Sequence, residues 1–256
     1  MKQSSLSAQA NKLIDHYFNI SLGKHTIPCP YFNNKKMKVR AGLRVAVGKG
    51  SVTEIEEELS LVALREKVDL SALNKKEITQ FATDHNIGIE CSGFIYYVLS
   101  EELKATKNTS LKKHITPLSK NPLRRTLASL RPAENTNVAT LISDKNTKDI
   151  LLKEVQAGDL ILMMGTGEKH DLNHVLLISK VEYKNNVPKT IEYVHSLQWK
   201  TDGIYHGVRR GMITITNIKK PLATQTWVER KKSGDDNETL YRIKTAEMVK
   251  IGRVGV

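Results

Sequence analysis

The sequence predicts an α+β fold in which a helical first part packs on an antiparallel sheet formed by the second part. Apolar residues recur at helical spacing through much of the first hundred residues, as in residues 5–20. From about residue 155 onward, β-branched and alternating runs are separated by turn residues, which is typical of a strand meander. Because helices come first and strands second, we expect segregated layers, with the sheet curled into a half-barrel.

Four helices are predicted before residue 105, and they span residues 5–20, 51–68, 71–85 and 91–104. The second has the clearest start signal, because Ser51 and Glu54 are spaced as a capping box. Gly23 ends the first helix, and residues 24–50 read as an irregular segment that contains two prolines around Cys29.

Residues 105–150 interrupt the helical pattern and are rich in Lys, Asn, Thr and Ser. We interpret them as an insertion with short helices, for example over 123–130, that either folds over a cleft and selects substrate or is a surface excursion without function. Strands are predicted at residues 159–164, 174–183, 190–196, 207–216, 224–229 and 239–244. No repeat or boundary is visible, so we predict a single domain over 1–256 with a helical extension over about 1–85.

The composition limits the possible classes of protein. The chain has 256 residues, of which 39% are apolar, enough for a core. No apolar run approaches the roughly 18 residues of a membrane span, and no signal-peptide pattern is visible near the first residues. We therefore expect no membrane span, and either a cytoplasmic protein or export by a non-classical route. Two cysteines are too few for a disulfide framework.

The net charge of +13 indicates an anionic partner or a generally basic surface. Nucleic acid, an anionic cell wall and an anionic membrane face are the candidate partners. The basic residues are spread along the chain and no nucleic-acid motif is visible, so we expect no dedicated nucleic-acid site. The Gly-Lys-Gly-Ser stretch at residues 48–51 lacks the rest of a phosphate-loop pattern, and a turn before a helix cap is the better interpretation.

Cys91 lies between a turn signal at Asn86 and Gly88 and an apolar run with helical spacing. At such a junction the unpaired N–H groups of the first helical turn and the helix dipole both favour a thiolate. This is where a nucleophilic cysteine is placed, although a small buried cysteine at a helix start is the alternative.

Three later stretches add chemistry to that position. Residues 156–163 carry Gly-Asp-Leu before a strand, His174 begins another strand, and His195 lies near the end of a third. Four motifs thus follow one another along the chain: Cys-Ser-Gly-Phe, Gly-Asp-Leu, His-Val and a strand ending in His-Ser. Their order resembles that of the motifs in the NlpC-type cell-wall cysteine peptidases, a papain-like family. The resemblance covers roughly residues 85–200.

The sequence departs from that family at two positions. Glu90 stands where the family usually has Asp before the nucleophile, and Leu176 stands where it usually has Gly. These differences indicate a distant member with insertions.

The resemblance implies a Cys-His-His triad of Cys91, His174 and His195. In this arrangement His174 takes the thiol proton and His195 orients it through the other ring nitrogen. Gln198 and Asp202 are nearby substitutes for the third role.

The resemblance also implies an oxyanion site and a positioning tyrosine. The backbone N–H of Cys91 or Ser92 would hold the oxyanion, and Tyr31, in a Pro-Tyr segment, would position the thiol or the oxyanion. Cys29 would then either approach Cys91 or be a buried, inert thiol.

The activity implied is that of a thiol protease, a hydrolase that cleaves amide bonds of peptidoglycan stem peptides without a cofactor. Two alternatives stay open: a papain-like hydrolase, deamidase or acyltransferase acting on proteins or lipids, and a non-catalytic basic binding module on the same scaffold. A metal site is not expected, because the four-residue spacing of His170 and His174 suits a helix, whereas His174 begins a strand.

Overall fold

The computed structural model describes residues 2–34 and 43–255. These residues form an α+β fold with eight α-helices and eleven strands, so the predicted fold class is confirmed at this level. Part of the segment predicted to be irregular, residues 35–42, lies outside the described residues.

The helices are α1 (Ala8–Phe18), α2 (Val52–Glu66), α3 (Lys75–Asp84), α4 (Cys91–Lys107), α5 (Pro122–Leu130), α6 (Pro132–Asn135), α7 (Val138–Ile142) and α8 (Glu238–Thr245). The strands are β1 (Lys2–Ser5), β2 (Ile20–Leu22), β3 (His25–Ile27), β4 (Thr147–Asp149), β5 (Leu160–Thr166), β6 (Leu172–Lys184), β7 (Val187–Leu197), β8 (Gly207–Thr214), β9 (Thr226–Glu229), β10 (Lys232–Ser233) and β11 (Met248–Val254).

A nine-stranded antiparallel sheet forms the centre of the fold. Its order is β10-β9-β8-β7-β6-β5-β11-β4, and β1 pairs with β6 off this path. The run from β5 to β9 corresponds to the first five strands of the predicted meander, and the short strand β10 was not predicted. The strand β11 departs from the meander, because this late strand inserts between β5 and β4.

The predicted helix starts are partly confirmed. Ser51 and Glu54 form the capping box at the start of α2, each side chain accepting a hydrogen bond from the other's backbone N–H. The third helix begins later than predicted, with Asn74 as its cap. Ser71 instead donates to the carboxylate of Asp69 in the turn before it.

The strand predicted at 239–244 is wrong, because these residues form α8. Asn237 caps this helix by accepting the N–H of Leu240 at 3.0 Å. Its buried residues are Thr239, Leu240 and Ile243, a spacing that fits one face of a helix rather than alternation along a strand.

The sheet is buried on both faces. On one face, α4 packs over β6 and β7 and α1 packs against α4, where Tyr17 meets Phe94 edge-on with ring centroids 5.2 Å apart. On the other face, α8 covers a second core that includes Trp227 and Tyr193. The nucleophile candidate at the start of α4 is therefore held against the middle of the sheet. Within the described ranges, no helix is long and apolar enough to cross a bilayer.

Candidate active site

The loop before α4 is fixed on both sides, which sets the position of Cys91. The N–H of Ile89 donates to the carbonyl of Pro30 at 2.9 Å, and the Ser196 hydroxyl donates to the carbonyl of Ile89 at 2.8 Å. Gly88 allows this close approach, because a Cβ at that position would overlap the Pro30 carbonyl oxygen. The prolines upstream and the strand β7 thus hold the start of the helix.

Cys91 is the first residue of α4 and is buried. The N–H groups of Cys91 and Ser92 lie in the first turn, where no intrahelical carbonyl accepts them, so they are available to an oxyanion. The pKa of the Cys91 thiol is raised to about 11, mainly by burial and in smaller part by the neighbouring Glu90. Lys49 and the N–H of Val175, on β6, act in the opposite direction.

A buried ion pair lies beside the nucleophile candidate. The Lys49 ammonium is 2.5 Å from a Glu90 carboxylate oxygen and donates to Ser92 Oγ and to the Thr136 carbonyl, both at 2.7 Å. Ser92 Oγ accepts from Lys49 and donates to Glu90, so any contribution of Ser92 to an oxyanion site comes from its backbone. The Gly-Lys-Gly-Ser stretch thus supplies a lysine to this pair.

His174 and His195 meet on neighbouring strands. His174, on β6, and His195, on β7, are both buried, and Nε2 of His174 is 2.8 Å from Nδ1 of His195. Met163 of β5 pairs with His174 of β6, and the register of this strand pair shifts before the next pair, which is formed by Thr166. Such irregularities redirect side chains locally, and this one lies next to His174.

A carboxylate lies beyond the second histidine. Glu229 Oε2 is 3.0 Å from Nε2 of His195 and accepts the Tyr193 hydroxyl at 2.8 Å. Arg209 donates to the other oxygen at 3.4 Å. Burial acts to raise the pKa of Glu229, but His195, Arg209 and Tyr193 together lower it below its usual value. Glu229 is therefore a carboxylate at neutral pH.

An ionised Glu229 fixes the direction of the whole chain of hydrogen bonds. A carboxylate only accepts, so Nε2 of His195 carries a proton and donates to it. In neutral His195, Nδ1 then accepts, and Nε2 of His174 must donate to it. The remaining nitrogen of His174, Nδ1, is left with a lone pair, which is the form that a general base needs.

Both imidazoles are neutral in the resting protein at neutral pH. Burial lowers the pKa of His174 well below its usual value, and His195 lowers it further. Burial also lowers the pKa of His195, with Glu229 offsetting part of this effect. With the raised pKa of Cys91, these directions predict a neutral thiol and a neutral imidazole rather than a thiolate–imidazolium pair.

Arg209, which donates to the Glu229 carboxylate, is itself fixed by further partners. Arg209 also donates to the Leu197 carbonyl and pairs with Asp202 at 2.5 Å. Asp202 in turn pairs with Arg230 at 2.7 Å. Asp202, a substitute proposed for the third role, thus pairs with arginines instead of with His174.

Cys91 and His174 line one cavity of about 400 Å³ together with Tyr31, Leu197 and Arg242. A neighbouring cavity of about 510 Å³ shares the last three of these residues. Gln198, the other substitute for the third role, lines only this neighbouring cavity.

Tyr31 and Cys29 have different surroundings. The Tyr31 hydroxyl accepts from the Asn33 amide at 3.0 Å, and burial raises its pKa above the usual value. Cys29 is a free, buried thiol in the main core, where burial raises its pKa.

Of the residues that the sequence predicts for the site, the structure brings these to one region: Tyr31, Ser92, Cys91, His174 and His195.

Sequence reasoning missed Glu229, Arg209, Lys49 and Arg242. Glu229 and Arg209 could have been recognised in the sequence, because each is a charged residue on a strand that otherwise packs against the core. Glu229 follows buried Trp227 by two residues, which places both on the same face of β9. Arg242 could not, because its helix was predicted to be a strand.

No metal is indicated by these side chains. Among residues 2–34 and 43–255, no group of three His, Cys, Asp or Glu side chains could hold a metal ion.

Comparison with known proteins gives no relative. No family model, curated protein or solved structure matches the chain. The geometry of the site and the motif resemblance therefore carry the functional argument.

Proposed function

We propose that the chain is a cysteine peptidase or amidase of the papain-like, NlpC type that hydrolyses amide bonds in peptidoglycan stem peptides. The observation that carries the proposal is the hydrogen-bonded chain of His174, His195 and Glu229, which leads away from the cavity that Cys91 also lines. A cysteine that is only part of the core does not require this chain of hydrogen bonds near it. The chain sets one tautomer of His174 and so leaves an unprotonated Nδ1 on a histidine that lines the same cavity as the Cys91 thiol.

The proposed reaction begins when a substrate carbonyl enters the cavity. Cys91 Sγ attacks the carbonyl carbon while Nδ1 of His174 takes the thiol proton, and N–H groups of the first turn of α4 hold the oxyanion. The C–N bond then breaks and His174 gives its proton to the leaving amine. Water attacks the resulting thioester with His174 again as the base, which releases a carboxylic acid and restores the thiol.

The lining of the Cys91 cavity includes the carboxylates of Glu90 and Asp171. It also includes the guanidinium of Arg242, which supports a substrate with a carboxylate. Arg242 lies between the two cavities, and its electrostatic effect extends to Cys91 and His174. Among the described residues no carboxylate lies within salt-bridge distance of it, so it can pair with a substrate carboxylate. Stem peptides carry free carboxylates, and an anionic wall suits the net charge of +13.

A second candidate function is a non-catalytic binding module on the same scaffold. The pKa of about 11 for the Cys91 thiol favours it, because a nucleophilic cysteine is usually activated by a lowered pKa. The two candidates differ in whether this thiol ever transfers its proton to His174.

The test is the release of new amino termini from purified peptidoglycan and from synthetic stem peptides. We expect the native protein to release them and Cys91→Ala to be inactive. For His174→Ala we expect a loss of about 10²–10⁴-fold, the usual contribution of a general base. Cys29→Ala is the matched control, because it removes a buried thiol outside the cavity and should keep activity.

If the native protein and Cys91→Ala are equally inactive and Cys91 reacts with iodoacetamide only slowly at neutral pH, the peptidase proposal fails in favour of the binding module. If the native protein instead hydrolyses or transfers acyl groups on protein or lipid substrates and Cys91→Ala does not, the chemistry stands and the wall substrate is wrong.

A further inference from the structure

One segment of the chain is strongly basic and has no acidic residue. Between Glu102 and Glu134 there is no Asp or Glu, and the segment carries these cations: Lys104, Lys107, Lys112, Lys113, Lys120, Arg124, Arg125 and Arg131. Residues 16–53 and 203–228 also carry cations and no Asp or Glu, so the charge alone does not set this segment apart from the rest of the chain.

The same segment exposes a row of leucines. Leu123, Leu127 and Leu130 lie on one side of α5 at helical spacing, with 68%, 56% and 69% of their surfaces exposed. Leu118, in the loop before α5, is 47% exposed. Of the helix residues only Ala128 is buried, so α5 rests on the protein by one small side chain and presents its leucines outward.

We propose that this surface, formed by Leu118, Leu123, Leu127 and Leu130 with Arg124 and Arg125, docks on a bilayer that contains anionic phospholipid. We call it the Leu-Arg surface. An interfacial helix buries its apolar side among the lipid chains while its cations pair with anionic headgroups. Four exposed leucines fit this environment, as do Arg124 and Arg125, which form no ion pair within the part of the chain that the structure describes. The proposal does not depend on the peptidase reaction.

The composition of the segment favours a bilayer over other anionic partners. Single-stranded nucleic acid is bound by aromatic side chains on which bases stack, and residues 103–133 contain no Phe, Tyr or Trp. A purely polyanionic partner would use the arginines and leave the leucines in water. A bilayer surface supplies both an apolar layer and a negative charge.

The Leu-Arg surface is next to the candidate active site. A groove of about 640 Å³ is lined by Leu118, Arg124 and Leu127, and also by Asn137 and Ala139. Asn137 and Ala139 also line the cavity of Cys91. When the Leu-Arg surface is docked, this cavity therefore lies close to the plane of the membrane.

The test is sedimentation of the full chain with vesicles of pure phosphatidylcholine and with vesicles that also contain phosphatidylglycerol. We expect binding only to the anionic vesicles, and weaker binding as salt screens the charges. Arg124→Gln with Arg125→Gln should weaken it about 30-fold, the effect of two cations at an anionic surface. Leu123→Ser, Leu127→Ser and Leu130→Ser together should weaken it at least about tenfold.

The matched control replaces Leu61 and Leu64 with Ser. These leucines are 60% and 77% exposed on α2, whose first turns are acidic, and their loss should leave vesicle binding unchanged. Circular dichroism verifies that each variant is folded. Equal binding to neutral vesicles overturns the proposal. An unchanged affinity of the leucine variant for anionic vesicles also overturns it. If polyglutamate abolishes vesicle binding by that variant and by the native protein alike, the partner of this surface is a polyanion rather than a bilayer.

Discussion

Glu229 is the residue that decides which nitrogen of His174 carries a proton. A glutamine at this position offers an amide group that can point in two ways. Arg209 donates to one oxygen of the present carboxylate, so it should attract the amide oxygen and turn the amide N–H₂ toward His195. The hydrogen bonds would then run in reverse and leave a proton on Nδ1 of His174, which could no longer accept one from Cys91.

For Glu229→Gln we therefore expect kcat to fall about 10²–10⁴-fold on stem peptides, with little change in KM. Part of the activity should return at high pH, where the thiol ionises without a base. Glu192→Gln, an exposed change on the same strand as His195, is the control. An unchanged kcat and pH profile would show that the direction of these hydrogen bonds is irrelevant to the reaction.

The Cys91 thiol gives a second prediction at this scale. Because its pKa is raised to about 11 and that of His174 is lowered, the resting pair is neutral. We expect the rate of alkylation by iodoacetamide to rise continuously from pH 7 to pH 10. A plateau that extends down to acidic pH would instead indicate a preformed thiolate–imidazolium pair.

Single residues were predictable where their chemistry has a sequence pattern. Cys91, His174 and His195 follow from the order of short motifs and from strand and helix signals. Glu229 and Lys49 reach the site from segments far along the chain, through pairing of β9 with β8 and packing against α4. Only the fold reveals such contacts, because no local pattern links those positions to Cys91.

At the scale of elements, Gly211 on β8 determines whether Tyr193 can reach Glu229. The two residues are partners across β7 and β8, and the Tyr193 ring lies over the glycine. A Cβ there would overlap the ring. The hydroxyl of Tyr193, which donates to Glu229, would have to move with it.

Gly211→Ala should therefore lower the free energy of unfolding by about 1–3 kcal/mol, the usual range for overpacking, and reduce kcat as well. Chemical denaturation and peptide hydrolysis measure the two effects. Gly255→Ala, where a Cβ would meet nothing within 4 Å, should change neither. Tyr193→Phe keeps the ring and removes the hydroxyl, so a stable Tyr193→Phe with reduced kcat would assign the loss of activity to the hydrogen bond.

The accuracy of element prediction followed the strength of the local signals. The capping box of α2 and the long apolar runs of β5 to β8 were unambiguous. Residues 239–244 mix apolar and polar residues in a pattern short enough to fit either a strand or a helix, and the cap by Asn237 decides for the helix. The strand β11 was missed, because its exposed Met248 and Val249 and the glycine within it, Gly252, give a weak strand signal.

For the whole molecule, the buried histidines predict how stability depends on pH. Both have a pKa lower in the folded than in the unfolded chain, so the unfolded chain binds more protons below about pH 6.5. Stability is full above that pH and is lost as the pH falls toward the folded-state pKa values. Each histidine contributes a slope of up to about 1.4 kcal/mol per pH unit.

Urea denaturation between pH 5 and pH 8 should show this slope in the native protein. In His174→Asn it should be smaller by up to about 1.4 kcal/mol per pH unit, since one of the two titrating groups is gone. A native protein whose stability is constant over this range would contradict the buried, neutral state of both imidazoles.

The place of β11 in the sheet also has a consequence for the order in which the protein assembles. Gly252 pairs with Asp149, about a hundred residues earlier, and Lys250 binds the carbonyls of Ile142 and Thr147. The wall of the cavity formed by residues 137–139 is thus fastened by a distant strand. Contacts so far apart in sequence form slowly, so we expect the cavity to close late in folding. Pulsed hydrogen exchange should protect β6 and β7 before β4 and β11, and a protein that folds in this order completes its candidate site only once the sheet is complete.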